Sequence, residues 1–123
     1  MGRKRVLIID DDPAMSGLLE EFCGEMGCDV LCVNDSRNAF AAVRSFKPDL
    51  ITLDLEMPHK DGLEVLRELR GDPQTKTIPV LIVSIMAQEV PIAAETVLGK
   101  LTKPVPFGAF LDKVRNLLKP AAT

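Results

Sequence analysis

Three carboxylates stand directly after apolar runs. Asp10 and Asp11 follow Val6-Leu7-Ile8-Ile9, and Asp54 follows Leu50-Ile51-Thr52-Leu53. An ionised carboxylate at the rim of an apolar core is costly unless solvent, a cation or a hydrogen-bond donor compensates it. Brought together, the three would form an all-oxygen site for a hard divalent cation, with one carboxylate left for chemistry. Mg²⁺ suits such a site best, because it needs few protein carboxylates and keeps positions for water and phosphate oxygens. Two further residues fit that chemistry. Ser84 follows the apolar run 80–83 and offers a hydroxyl donor. Lys103 follows the last short apolar stretch and offers a mobile point charge for a phosphate oxygen.

These groups meet only if the runs are neighbouring strands of one sheet. Strands are expected over 5–9, 30–33, 50–53, 80–83 and 97–101, and helices over 13–26, 62–69, 91–96 and 106–118, with one more between Ser36 and Pro48 that contains Ala39, Phe40, Val43 and Phe46. Asp12 is placed to cap the first helix, with Pro13 at its first position and Gly27 at its end. Met15, Leu18, Leu19, Phe22 and Met26 form its apolar face. Ser36 is expected to cap the second helix, which Pro48 stops. Asp61 and Gly62 shape the turn into the third, whose apolar positions are Leu63, Val65, Leu66 and Leu69. Phe107, Phe110, Leu111, Val114, Leu117 and Leu118 face inward from the last.

Apolar strands without alternation, joined by helices, imply a parallel sheet covered on both faces. Right-handed crossovers make this a three-layer, doubly wound α/β domain with a five-stranded parallel sheet. Ligands bind such sheets beyond the carboxyl ends of the strands, where Asp10, Asp11 and Asp54 fall. The chain, 1–123, reads as one domain with its core over about 4–119.

Composition narrows the function. The chain has no Trp or Tyr and carries a net charge of -3, so it lacks an aromatic platform and the basic face that nucleic acid requires. The basic cluster Arg3-Lys4-Arg5 reads as a solvated lead-in to the first strand. No apolar stretch approaches the ~20 residues of a membrane span, and no signal peptide is evident. Cys23, Cys28 and Cys32 have no paired C-x-x-C spacing, which argues against a zinc site and for reduced thiols in a cytoplasmic protein.

The acidic pieces also carry a resemblance. The segments 6–13, Leu53-Asp54-Leu55-Glu56-Met57-Pro58 with Asp61-Gly62, Val83-Ser84 and Lys103-Pro104 lie in the order found in receiver domains of two-component response regulators. The chain resembles that CheY-like superfamily over nearly its whole length. The resemblance, and not the spacing, implies the flavodoxin-like strand order 2-1-3-4-5. It implies Asp54 as phosphoacceptor, with Mg²⁺ held by Asp10, Asp11, Asp54 and the backbone carbonyl of Glu56. It gives Lys103 the phosphate-binding role, often with a cis proline after it, and Ser84 the hydroxyl that moves toward the phosphoryl group. The implied partner is a sensor histidine kinase or a histidine phosphotransfer protein, with an output domain or target downstream. Catalysis would be confined to the chain's own phosphorylation and dephosphorylation.

Three positions depart from the common pattern. Ile85 stands where a small residue is usual, Lys100 stands where many relatives have Tyr or Phe, and the segment between Ser84 and Lys103 is short and interrupted by Pro91. A non-phosphorylated pseudo-receiver acting as an interaction module is therefore the alternative. A Mg²⁺-dependent phosphatase is disfavoured, since Glu56 occupies the place of its second Asp and no cap domain fits. His59, the single histidine, reads as a bystander in a polar loop.

Overall fold

The computed structural model describes residues 2–87 and 99–118. Its elements are β1 (Arg5–Ile9), α1 (Pro13–Glu25), β2 (Asp29–Val33), α2 (Ala39–Phe46), β3 (Leu50–Leu53), α3 (Gly62–Arg70), β4 (Val80–Ser84), β5 (Gly99–Thr102) and α4 (Phe107–Leu118). The strands form one parallel five-stranded sheet in the order β2-β1-β3-β4-β5. The expected helix over 91–96, and residues 97 and 98 of the expected last strand, lie outside the described residues.

Alternate strand residues feed two cores. Leu7 and Ile9 join Ile51, Leu53, Val80 and Ile82 against Val43 of α2 and Val65 and Leu69 of α3. Val6 and Ile8 join Leu50, Leu81 and Val83 against Leu19 and Cys23 of α1 and Phe110 and Val114 of α4. Residues 6 to 9 are at most 1% exposed, which is why β1 shows no polar alternation. Burying each such side chain contributes about 1.5–3 kcal/mol. The edge strand β2 differs from expectation: it alternates, with Asp29 and Leu31 exposed while Val30 and Cys32 pack against the core beside α1.

Local chemistry explains the boundaries. Asp12 caps α1 by accepting from Ala14 N at 3.0 Å, with Pro13 at the first position. Gly27 adopts φ 77°, the left-handed turn that carries the chain from α1 to β2. The buried face of α1 is Ser16, Leu19 and Cys23, whereas Leu18, expected inside, is 39% exposed. One helical step from Leu19 rotates Leu18 by about 100°, off the face. Leu63 and Phe107 are likewise exposed, although the Phe107 ring meets Phe22 edge-on with centroids 4.9 Å apart.

One expectation is refined and one is corrected. The basic lead-in is exposed as expected, and its arginines also make hydrogen bonds. Arg3 donates to Gly27 O at 2.8 Å and Cys28 O at 3.1 Å, and Arg5 donates to Phe46 O at 2.7 Å. Carbonyls at and just beyond helix C-termini lack intrahelical donors and attract cations. Ser36 does not cap a helix. It begins a short 3₁₀ turn, Ser36–Asn38, whose cap is Asp35 accepting from Arg37 N at 2.9 Å. The Ser36 hydroxyl is turned instead toward the loop after β3. Among the described residues no helix is long and apolar enough to cross a membrane.

Candidate functional site

Parallel pairing of β1 with β3 sets Ile9 opposite Leu53, so Asp10 and Asp54 leave the sheet at the same level. Asp10 N donates to Val33 O at 3.1 Å, and Asp54 N donates to Ile9 O at 2.9 Å. These bonds fix both backbones at the carboxyl edge of the sheet. Asp10 is 1% exposed, Asp54 5%, and Asp11 is half-buried. One carboxylate oxygen from each lies within 4.8 Å of the others. The three acidic residues expected to meet do meet.

Their compensation is uneven. Asp10 Oδ1 accepts from Asp12 N at 2.9 Å, and Asp10 Oδ2 accepts from Lys103 Nζ at 2.8 Å. Asp54 Oδ1 accepts from Leu55 N at 2.8 Å, while its Oδ2 lies 3.6 Å from Lys103 Nζ. Burial, joined by the Asp10 charge, pushes the Asp54 carboxyl above the ordinary range, against the pull of Lys103 and the Leu55 and Glu56 amides. Burial works against the Lys103 charge too. The hydrogen bond to Asp10 and the charges of Asp10 and Asp54 outweigh it and raise the Lys103 ammonium. Lys103 is therefore docked on Asp10, with Asp54 at the longer distance. As the ammonium among three crowded carboxylates, it settles on the deepest one.

The other expected residues flank this cluster. Ser84 is the last residue of β4, not the first beyond it, and pairs with Thr102. It is fully buried, and its Oγ accepts from Met86 N at 3.1 Å. Ser84 O accepts from Lys103 N at 3.1 Å, which couples the ends of β4 and β5. The Lys103-Pro104 peptide bond is cis. Glu56 is exposed on the loop after Asp54, as is His59, which adopts φ 71°. Ile85 is 63% exposed, and Lys100 is half-buried in β5.

Gly62 matters more than a turn residue would. Its N donates to Leu55 O at 2.9 Å. A Cβ there would overlap the Asp54 carbonyl oxygen and come within 2.8 Å of Leu55 Cα. The first turn of α3 thus packs directly on the Asp54–Leu55 peptide. Asp61 and Glu64 close a reciprocal capping box that starts this helix in place. The Asp-x-x-Glu spacing was a legible signal for that box. Asn34 and Ser36, which also touch the site's loops, have no comparable local signature.

Chemically the site is a set of crowded carboxylate oxygens beside the Lys103 ammonium, and among the described residues no His or Cys joins the cluster. Such a set fits a hard divalent cation such as Mg²⁺, and a cation would offset the burial and the Asp10 charge that together raise Asp54.

A family model described as the response regulator receiver domain matches residues 6–115, which include the entire acidic cluster and Lys103. The chain belongs to that family. This receiver domain is 38% identical over 122 residues to the DNA-binding dual master transcriptional regulator RpaA of Synechocystis sp., a match covering 94% of the chain and 49% of RpaA. It is 33% identical over 121 residues to Protein PilH of Pseudomonas aeruginosa, covering 93% of the chain and 97% of PilH. The receiver thus spans about half the length of the first relative and nearly all of the second. Among solved structures, a sensor protein from Polaromonas sp. superposes with a TM-score of 0.87 at 28% identity, covering 94% of this chain and 96% of that one. The chemotaxis protein CheY4 of Vibrio cholerae, at 24% identity and a TM-score of 0.85 over 95% of the receiver and 100% of CheY4, shares the fold.

Proposed function

We propose that the chain is a phosphoacceptor: Asp54 takes a phosphoryl group from a phosphorylated histidine of a sensor kinase or phosphotransfer protein. The observation that carries this reading is the convergence of Asp10, Asp11 and Asp54 within 4.8 Å, with Lys103 between Asp10 and Asp54. An Asp54 carboxylate oxygen forms the new O–P bond as the N–P bond breaks, and the electron pair and a proton remain with the donor imidazole. Asp54 is held for this by the Leu55 amide and by the Gly62 contact beneath its own peptide. Mg²⁺ held by Asp10, Asp11, Asp54 and the backbone carbonyl of Glu56 would supply charge neutralisation for the incoming group.

Lys103 stays paired with Asp10 until phosphoryl oxygens arrive, and then turns its ammonium toward them across the 3.6 Å that separates it from Asp54. Ser84 supplies a hydroxyl donor to another oxygen. Because its Oγ accepts from Met86 N, reorienting it disturbs the turn after β4. The added charge of about 1.5–2 units thereby biases that turn between two arrangements.

On this reading the chain catalyses only its own modification and its reversal, and it acts in the cytoplasm, where its free thiols stay reduced. The output lies in further sequence or in a partner, and the receiver itself, at a net charge of -3, does not bind nucleic acid. Glu56, in place of a second Asp, argues against an aspartyl phosphatase of the Asp-x-Asp kind. The pseudo-receiver alternative draws partly on Ile85, a residue that is 63% exposed. The test is a titration of beryllofluoride with Mg²⁺, following backbone amide shifts. Shifts at Leu55, Ser84 and Met86 that vanish in Asp54→Asn support the reading, and their absence opposes it.

A further inference from the structure

The short connection between β2 and α2 contributes no group to the acidic cluster, yet it grips both loops that carry it. Asn34 Nδ2 donates to the backbone carbonyl of Asp10 at 2.7 Å and to Ser16 Oγ at 2.9 Å. Ser16 Oγ donates onward to Pro13 O at 3.2 Å. Residues 10–13, which carry Asp10 and Asp11, are therefore tied to the end of β2. Two positions on, Ser36 is 2% exposed, and its Oγ donates to Pro58 O at 2.9 Å while accepting from Lys60 N at 3.2 Å. Pro58 and Lys60 belong to the loop that runs from Asp54 through Glu56 to Gly62. Asp35, between the two, locks the turn by accepting from Arg37 N at 2.9 Å and pairing with the Arg37 guanidinium at 2.8 Å.

We propose that Asn34 and Ser36 are positioning residues that set the separation of the Asp10–Asp11 loop from the Asp54 loop. The proposal rests on the phosphoacceptor reading, in which those loops share one cation. A ligand set is only as good as the spacing of its loops, and the groups that orient ligands matter nearly as much as the ligands. A single stretch hydrogen-bonded to both loops fixes that spacing directly. Ser36 is suited to this because one hydroxyl serves as donor and acceptor at once. Asn34 is suited because its amide supplies two donors.

The experiment titrates Mg²⁺ into the full chain and follows amide shifts, alongside urea unfolding, for wild type, Asn34→Ala, Ser36→Ala, Ser36→Thr and Val114→Ala. Val114→Ala creates a cavity in the core on the opposite face and controls for lost stability alone. Asn34→Ala and Ser36→Ala are expected to weaken Mg²⁺ about tenfold each, with Ser36→Thr recovering most of the loss. Val114→Ala is expected to bind as wild type does. Wild-type affinity in Asn34→Ala and Ser36→Ala would overturn the proposal, as would equal weakening in Val114→Ala. A wild-type chain that binds Mg²⁺ but is never modified at Asp54 would overturn the phosphoacceptor reading alone, since these affinities still decide the positioning role. A wild-type chain that binds no Mg²⁺ would overturn both.

Discussion

Lys103 Nζ donates to Asp10 Oδ2 at 2.8 Å, linking residues 93 positions apart. The pair joins the end of β5 to the end of β1 across the site, with side chains 16% and 2% exposed. It is the ammonium's primary contact, and Asp54 receives only its longer reach at 3.6 Å. The resting site therefore carries its own cation, held on the carboxylate that is not the proposed acceptor.

Removing that cation should expose the repulsion beneath it. Lys103→Met is expected to destabilise the Mg²⁺-free chain by roughly 1–3 kcal/mol, because it leaves buried Asp10 Oδ2 without its charged partner. Added Mg²⁺ should restore much of the loss. Urea unfolding with EDTA and with Mg²⁺ measures both, and equal destabilisation in the two conditions would oppose the shared-site picture.

Asp54 is expected to report the same crowding from the other side. Since burial and Asp10 both disfavour its charge, Asp54→Asn should be at least as stable as wild type in EDTA. In Mg²⁺ the order should reverse. Wild type is expected to gain about 2.7 kcal/mol when Mg²⁺ is about 100 times its Kd, and the Asp54→Asn substitution removes an ionised ligand from that linkage. Thermal or urea unfolding across a Mg²⁺ series checks the crossover.

Gly62→Ala tests how the acceptor is held. The new methyl group would meet backbone, the Asp54 carbonyl and Leu55 Cα, and no flexible side chain could yield to it. A cost of about 1–3 kcal/mol is expected. Amide shifts should move at Asp54 and Leu55 while β2 and α4 stay in place. Wild-type stability in Gly62→Ala would contradict this packing.

The thiols give a pH signature remote from the site. Burial, then the neighbouring Cys28 and Cys32, pushes the Cys23 thiol up to about 12. An unfolded thiol titrates near ~8.5, so the native state prefers the proton. The Cys23 contribution to stability is complete below about pH 8.5 and is lost as the pH rises toward about 12. Cys23→Ala should flatten that part of the stability–pH curve. Iodoacetamide at pH 8 should spare Cys23 in the native chain and modify it in urea, as peptide mapping would show.

The fold and the centre of the site were legible because parallel sheets put strand ends where ligands bind. Asp10 and Asp54 are one residue beyond buried strands, and the register of β1 on β3 does the rest. Lys103 was legible by type and place but not by partner, since a long side chain chooses among carboxylates only once the sheet is closed. Ser36 shows a different limit. Local rules favour Ser as a helix cap, but its observed partners are 22 and 24 positions away. Arg3 and Arg5 are exposed as expected, but their acceptors, helix-end carbonyls distant in sequence, have no local signature. Leu18 and Leu63 fit the apolar periodicity yet are exposed, because a periodic pattern does not reveal which way the edge of an apolar stripe falls.

The most direct test of the central claim is intact-mass analysis after incubation with a small phosphodonor, with peptide mapping of the modified residue. The expected result is one phosphoryl group on Asp54, formed in Mg²⁺, suppressed by EDTA and absent from Asp54→Asn. No adduct in Mg²⁺, or an adduct of equal yield in Asp54→Asn, would contradict it.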